Sequence, residues 1–321
     1  MSSKPVVSPQ ERASPDVSTV WHPDWPCPAG RMLRHQRRGP LDPSYRIDER
    51  TGTHWRGIRT MEGPATLSIR QAPAGEVHAA AWGPGAAWAI TSVPGLLGAY
   101  DDPSTFEPQH PLLVEALRRH PHVRFGGSGL VMQALIPSII EQKVTGQEAL
   151  AGYRALVTRY GEPAPGAPEE LRLRVPPDAA TVRMIPSWSW LEMHIDHARS
   201  RAMVTAARVA EALERHDGPA DLERRLCSLP GIGVWTSAEV RSRALGDPDA
   251  VSFGDYHVAK DVGWAMTGEE FDDQQLAEFL EPWRPQRNRA VALIMLAKGM
   301  RPRHGARMAP RTHLPGRTPG R

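Results

Sequence analysis

Apolar positions along the chain repeat with two different periods, and the change falls near residue 109. Before it they alternate. Tyr45-Arg46-Ile47-Asp48 and Thr66-Leu67-Ser68-Ile69-Arg70 have the every-second-residue spacing of half-buried strands. Val77 to Ala81 and Ala87 to Ile90 continue the series between turns that carry Gly and Pro. Together they predict a small antiparallel sheet within residues 21–108, with a short helix from Gly30 to Gln36. Residues 1–20 are polar and rich in Pro and Ser, and predict a disordered tail.

Beyond 109 the spacing becomes helical. His110 to Leu117 has a helical apolar face with Pro111 in the first turn. Leu130 to Leu150 begins as a near-continuous apolar face, the mark of a buried helix, and Gln147 to Tyr160 predicts the next one. A loop rich in Pro and Gly over 161–168 and a short helix after Asp178 follow. Helices are then expected over 191–213, around Leu222 and Leu226, from Val234, over 271–280 and over 289–300. The chain therefore reads as α+β: a mainly helical domain over 109–300 behind a small β-rich domain over 21–108. Residues 301–321 hold six Arg, two His and no acid. They predict a disordered basic tail, either a source of non-specific affinity for a polyanion through counterion release or an extension without function.

Residues 222–258 concentrate the chemistry. A short amphipathic helix runs into Leu229-Pro230-Gly231-Ile232-Gly233, a second helix starts near Val234, and a loop ends in Asp255-Tyr256-His257-Val258. Two helices joined by a tight turn that carries Gly make a helix–hairpin–helix. Gly231 and Gly233 permit positive φ and leave no Cβ in the way of a close neighbour. Free amides of the turn and the positive end of the next helix make an anion site suited to one DNA phosphate.

Hairpin and aspartate together resemble the helix–hairpin–helix (HhH-GPD) DNA glycosylases of base-excision repair, of the DNA-3-methyladenine glycosylase II type. The resemblance implies that Asp255 is catalytic. It implies DNA contacts from Gly231, Ile232, Gly233, Val234 and Thr236, although Val234 stands where a polar residue is frequent, which removes one phosphate contact. Backbone carbonyls of Cys227, Leu229 and Ile232 match positions that hold a structural monovalent cation in relatives. Glu141-Gln142-Lys143-Val144-Thr145 matches a G-Q-x-V-S run, with Glu for Gly. Gln142 and Lys143 then face DNA, and Lys143 takes the place of the wedge that fills the gap left by an extruded nucleotide. Bifunctional relatives carry a Schiff-base Lys where this chain has Trp235, so water is the expected nucleophile and no lyase step follows. Glu281 to Arg287 resembles the W-x-P-x-R run before the last helix of the alkylation-repair branch. Aligned through it, Met295 takes the place of a pocket Trp. Trp188, Trp190 and Trp235 are further candidate pocket walls, because an indole face attracts a cationic ring such as an alkylated purine. The partner implied is double-stranded DNA containing damaged bases.

Composition narrows the alternatives. The 321 residues are 40% hydrophobic, enough for a real core, and carry a net charge of +3 with a pI near 9.1. Lysine occurs only at Lys4, Lys143, Lys260 and Lys298, so Arg supplies nearly all the positive charge. The basic run Arg31 to Arg38 is either a solvated helix face or a DNA-facing strip. With only Cys27 and Cys227, the chain cannot ligate a four-Cys iron–sulfur cluster or zinc, and no cofactor is expected. Glu192, His194, Asp196 and His197 sit beside Trp188 and Trp190, but residues so close along one helix do not converge on one ion. The N-terminus lacks the apolar stretch of a signal peptide, and no run of about 18 apolar residues occurs; a cytoplasmic monomer is expected. Excision of another damaged or mismatched base stays open, as does a non-catalytic DNA-binding protein. Asp255 speaks against the latter, because mere binding has no use for a carboxylate facing polyanionic DNA.

Overall fold

The computed structural model describes residues 14–298 and Arg301. The sheet has five antiparallel strands: β1 (Val17–Trp21), β2 (Tyr45–Asp48), β3 (Thr53–Thr60), β4 (Gly63–Gln71) and β5 (Val77–Trp82), in the order β1-β5-β4-β3-β2. Helix α1 (Ala29–Arg34), helix α2 (Ala86–Thr91) and the single turn α3 (Val93–Leu96) belong to the same hydrophobic cluster as Leu67, Ile69, Ala79 and Ala81 of the sheet. Two parts of this region depart from the pattern in sequence. The expected strand from Ala87 to Ile90 is α2. Ala86, Ala89 and Val93 are buried three and four residues apart, which is a helical stripe rather than an alternation. The expected disordered tail over 1–20 also overlaps β1, which pairs along its whole length with β5 from Val17↔Ala81 to Trp21↔Val77. Val17 and Trp21 also pack against the cluster of Leu67, Ile69 and Ala79, so pairing and packing together hold it.

The helical part begins with α4 (Pro111–Arg119), α5 (Val131–Ile140) and α6 (Gly146–Tyr160). Expected as one apolar run from Leu130, α5 stops at Ile140. Helix α6 restarts behind a capping box in which Thr145 accepts from Glu148 N–H and Glu148 reaches back to Thr145. Two short strands, β6 (Glu162–Pro163) and β7 (Arg174–Val175), form a hairpin that lies on the sheet face bearing Trp55 and Trp82. Those indoles stack at 5.5 Å between centroids. Gly57 on β3 allows the approach: a Cβ there would fall 2.1 Å from the Arg174 carbonyl oxygen.

Then come α7 (Ala179–Met184), α8 (Ser187–Glu192), α9 (His197–Arg208) and α10 (Ala210–Glu214). The single helix expected over 191–213 is broken at His194, whose φ is +60°, and Asp196 caps the restart by accepting from Arg199 N–H at 3.0 Å. The chain ends with α11 (Pro219–Cys227), α12 (Val234–Leu245), α13 (Val258–Thr267), α14 (Asp273–Leu280) and α15 (Arg287–Lys298). Helix α5 lies at the centre, with eight of its ten residues buried, and packs against α12, α9 and α6. A second cluster joins α4, α13, α14 and α15 with Val251. Buried Arg289 pins it to the β-rich part, reaching Asp101 at 2.5 Å and the Val123 carbonyl at 3.0 Å. No helix among the described residues is long and apolar enough to cross a membrane. The tail over 302–321 lies outside the described residues.

Candidate nucleic-acid interface and active site

Helices α11 and α12 form the hairpin expected from sequence. Leu222, Leu226 and Ile232 are buried and hold it to the core, while Pro230, Gly231, Gly233 and Val234 are exposed. Gly231 has φ +88°, where a side chain costs roughly 1–2 kcal/mol. Gly233 differs from expectation: its φ of −107° and ψ of −176° are ordinary extended backbone, and a Cβ there would meet nothing within 4 Å. Openness, rather than backbone conformation, is what Gly233 supplies. It is the N-cap of α12 and offers no side-chain acceptor. The first amides of the helix, at Val234, Trp235 and Thr236, thus combine with the dipole into an exposed positive end.

Gln142 ties a second element to this turn. Its Nε2 donates to the Gly231 carbonyl at 3.0 Å and to Thr236 Oγ1 at 2.8 Å. Thr236 is 2% exposed, so its side chain serves that junction while its backbone N–H belongs to the helix end. Lys143 follows, exposed, in a left-handed conformation with φ +54°. A lysine held there carries about 1 kcal/mol of strain and stands at the tip of the turn beside the hairpin.

The loop after α12 folds back along that helix. Ser252 Oγ donates to Glu239 Oε1 at 2.6 Å, and a Cβ on Gly254 would lie 3.9 Å from that of Trp235. Asp255 comes next, half-buried. Its Oδ1 accepts from His257 N–H at 2.7 Å and Val258 N–H at 3.0 Å, the amides that open α13. Among the described residues its Oδ2 makes no hydrogen bond. One oxygen is therefore fixed and the other has no protein partner among the described residues. Tyr256, 70% exposed, lies at the rim with Lys260 Nζ 4.0 Å from its ring centre.

The four candidate pocket walls separate. Trp235 is half-buried on α12 beside the loop that carries Asp255. Met295 on α15 packs against the same cluster as Phe253 of that loop and Val258 at the start of α13. Trp190 is a correction: it is 2% exposed and shut in the helical core, so neither face of its indole meets a ligand. Trp188 is 65% exposed on α8. Of the acidic residues beside them, Glu192 pairs with Arg159. Asp196 caps α9, and Arg199 donates to the carbonyls of Ile140 at 2.8 Å and His194 at 3.0 Å. Among the described residues no group of three His, Cys, Asp or Glu side chains is placed to hold a metal ion. The carbonyls of Cys227, Leu229 and Ile232 lie in the hairpin turn. That of Leu229 accepts from Ile232 N–H at 3.0 Å and keeps a second lone pair, an all-oxygen donor set that fits a monovalent cation. A cleft of about 410 Å³ between the β3–β4 turn, α5 and α10, lined by Arg59, Met61, Met132, Ile136, Pro176 and Glu214, contains none of the candidates.

Sequence reasoning missed the residues that hold these parts in place. The basic run over 31–38 is neither wholly solvated nor a strip. Arg31 and Arg34 are exposed, but Arg38 is buried and pairs with Glu141 at 2.8 Å. That pairing accounts for Glu141 standing where the motif has Gly. Glu239 also went unnoticed, although its spacing of four from Trp235 puts it on the same face of α12.

No family model matches the chain. A curated relative, the probable bifunctional transcriptional activator/DNA repair enzyme AlkA of Mycobacterium tuberculosis, is 26% identical over 166 residues, which is 49% of this chain and 31% of that protein. The chain thus spans about a third of the length of the curated relatives it matches. Among solved structures, the 3-methyladenine DNA-glycosylase from Archaeoglobus fulgidus superposes with a TM-score of 0.72 at 16% identity, covering 87% of this chain and 97% of that one. An 8-oxoguanine glycosylase/lyase from Clostridium acetobutylicum superposes with a TM-score of 0.62 at 11% identity, covering 83% and 92%. The fold is that of the helix–hairpin–helix DNA glycosylases: a mainly helical body behind a small antiparallel sheet.

Proposed function

We propose that this chain is a monofunctional DNA glycosylase of base-excision repair that hydrolyses the N-glycosidic bond of alkylated purines. The observation that carries the reading is the Asp255 carboxylate, fixed through Oδ1 at the opening of α13 next to the exposed amide end of the hairpin. The target bond is buried in a duplex, so the nucleotide must first be flipped out. The amides of α12 take a backbone phosphate, and the carbonyls of Cys227, Leu229 and Ile232 would hold a monovalent cation that offsets its charge. Lys143, at the tip of its strained turn, enters the gap beside the extruded nucleotide. As the bond to the base breaks, positive charge grows on the sugar. Asp255 stabilises that charge and orients or deprotonates the attacking water. Trp235 has no amine to form a Schiff base, so the product is an abasic site in an uncut strand.

An alkylated purine is cationic and leaves without protonation, so one carboxylate suffices. The indole of Trp235 attracts such a ring by about 0.5–2 kcal/mol, and Met295 supplies an adaptable apolar surface. The likeness in fold to a 3-methyladenine glycosylase and the match to a DNA repair enzyme support this choice of lesion. Release of free base from methylated duplex DNA, set beside release from 8-oxoguanine, uracil and hypoxanthine duplexes, is the test. Efficient removal of 8-oxoguanine with no release of methylpurine would overturn the alkylation reading.

A further inference from the structure

Resting on the glycosylase reading, we propose that Glu239 is a positioning residue: it fixes the loop that carries Asp255, and the N-terminal β domain fixes Glu239 through Arg243. The contacts form one chain. Glu239 accepts from Ser252 Oγ at 2.6 Å and from Arg243 Nη2 at 3.2 Å. The Ser252 carbonyl accepts from Asp255 N–H at 3.1 Å, so the hydroxyl and carbonyl of one serine join the helix to the catalytic residue. Arg243 donates in turn to the His35 carbonyl at 2.7 Å, and Gln36 Nε2 donates to the Arg243 carbonyl at 3.0 Å. Two residues further on, Arg38 holds Glu141 at 2.8 Å, directly before Gln142 and Lys143. Residues 35–38 therefore brace both the catalytic loop and the turn beside the hairpin.

A helical Glu–Arg pair four residues apart needs no functional explanation by itself. The Ser252 hydrogen bond does, because Ser252 lies outside the helix and just before Asp255. Burial pushes the Glu239 carboxyl up, but Arg243, the Ser252 hydroxyl and Arg38 outweigh it and hold the group below the usual carboxylate range. It is therefore an anionic acceptor in the neutral range.

The test compares Glu239→Ala, Ser252→Ala and Glu239→Gln in the full chain. It measures single-turnover base release from methylated duplex, affinity for undamaged duplex, and amide hydrogen exchange over residues 250–258. Both Ala variants should lose roughly 10- to 100-fold in rate, the size expected of a reacting group displaced by about 1 Å. Their affinity for undamaged duplex should stay within about twofold of wild type, because the hairpin turn and the first amides of α12, which face the backbone, are not the residues changed. Amides over 252–258 should exchange faster. Glu239→Gln keeps an oxygen for the Ser252 hydroxyl and should recover most of the rate. Wild-type rate and exchange in both Ala variants would overturn the proposal, and so would a loss of rate matched by an equal loss of affinity. A wild-type protein that releases no base from any substrate would sink the glycosylase reading, while the exchange measurement would still decide whether Glu239 and Ser252 tether the loop.

Discussion

Replacing Asp255 by Asn and by Ala separates the two tasks of its carboxyl group. Oδ1 accepts from the amides of His257 and Val258, and the amide oxygen of Asn does this equally well, since Asn and Asp are equivalent at such helix openings. Asp255→Asn should then fold with a melting temperature within about 1 °C of wild type. Asp255→Ala leaves both amides without that acceptor, a loss of about 1–2 kcal/mol. In a body of this size each kcal/mol lowers the midpoint by about 2–4 °C. Catalysis follows the other oxygen. In the proposed mechanism both substitutions remove the negative charge that would meet the developing cation, and the loss of one such electrostatic group costs about 10²–10³ in rate, or about 3–4 kcal/mol of barrier. Calorimetry reads the stability, and single-turnover release of methylpurine reads the rate. The reasoning is refuted if Asp255→Asn cleaves at the wild-type rate, or if it melts as low as Asp255→Ala.

Four further outcomes follow. Gly231→Ala should lower stability by about 1–2 kcal/mol through its positive φ and its approach to Ala202, with Cβ atoms 3.2 Å apart. Gly233→Ala should leave the melting temperature alone and weaken binding to damaged and undamaged duplex equally, most visibly as salt rises; a loss confined to damaged DNA would contradict a backbone contact. Borohydride added during turnover should trap no covalent enzyme–DNA adduct, since Trp235 has no amine; a trapped complex would show that another amine, such as that of Lys143, attacks the sugar. Burial, with Arg34 and Arg37 adding to it against Glu49, lowers the His54 imidazole to about 4. The unfolded chain, with an ordinary value near 6.5, then binds more protons between these limits. The contribution is present in full above about pH 6.5 and is lost as pH falls toward 4. Denaturant midpoints at neutral and acid pH should therefore diverge less in His54→Gln than in wild type, and equal divergence would remove the assignment.

Much of the geometry of the candidate site was legible because its residues are local in sequence. The turn Leu229 to Gly233, the amide end at Val234 and the spacing to Asp255 all lie within one short stretch. Buried and solvent-exposed helices also announced themselves through their period, as α4, α5 and α12 show. Illegible were the contacts that join distant segments. Arg38–Glu141, Arg243–His35 and Asp101–Arg289 are separated by about a hundred residues or more, and no periodicity encodes a partner. Short helices such as α2 misled for another reason: six residues with two buried alanines give too few turns to tell a helical stripe from alternation. Strand β1 was missed because its partner β5 lies far along the sequence, and nothing near Val17 announces that pairing. Trp190 was misassigned because an indole serves a core as readily as a pocket, and only burial distinguishes the two uses.

The β6–β7 hairpin, pressed onto β3 at Gly57, also bears on how the molecule comes apart. It belongs by sequence to the helical half, yet it covers the tryptophan-bearing face of the sheet. Peeling the halves apart would expose Trp55, Trp82, Leu173 and Val175 at once, in addition to uncoupling Arg289 from Asp101. Neither half keeps a complete core alone, so melting should be a single cooperative event rather than two. A helical fragment cut free near residue 109 would keep every residue of the candidate site and still lack the surface that gives that site its shape.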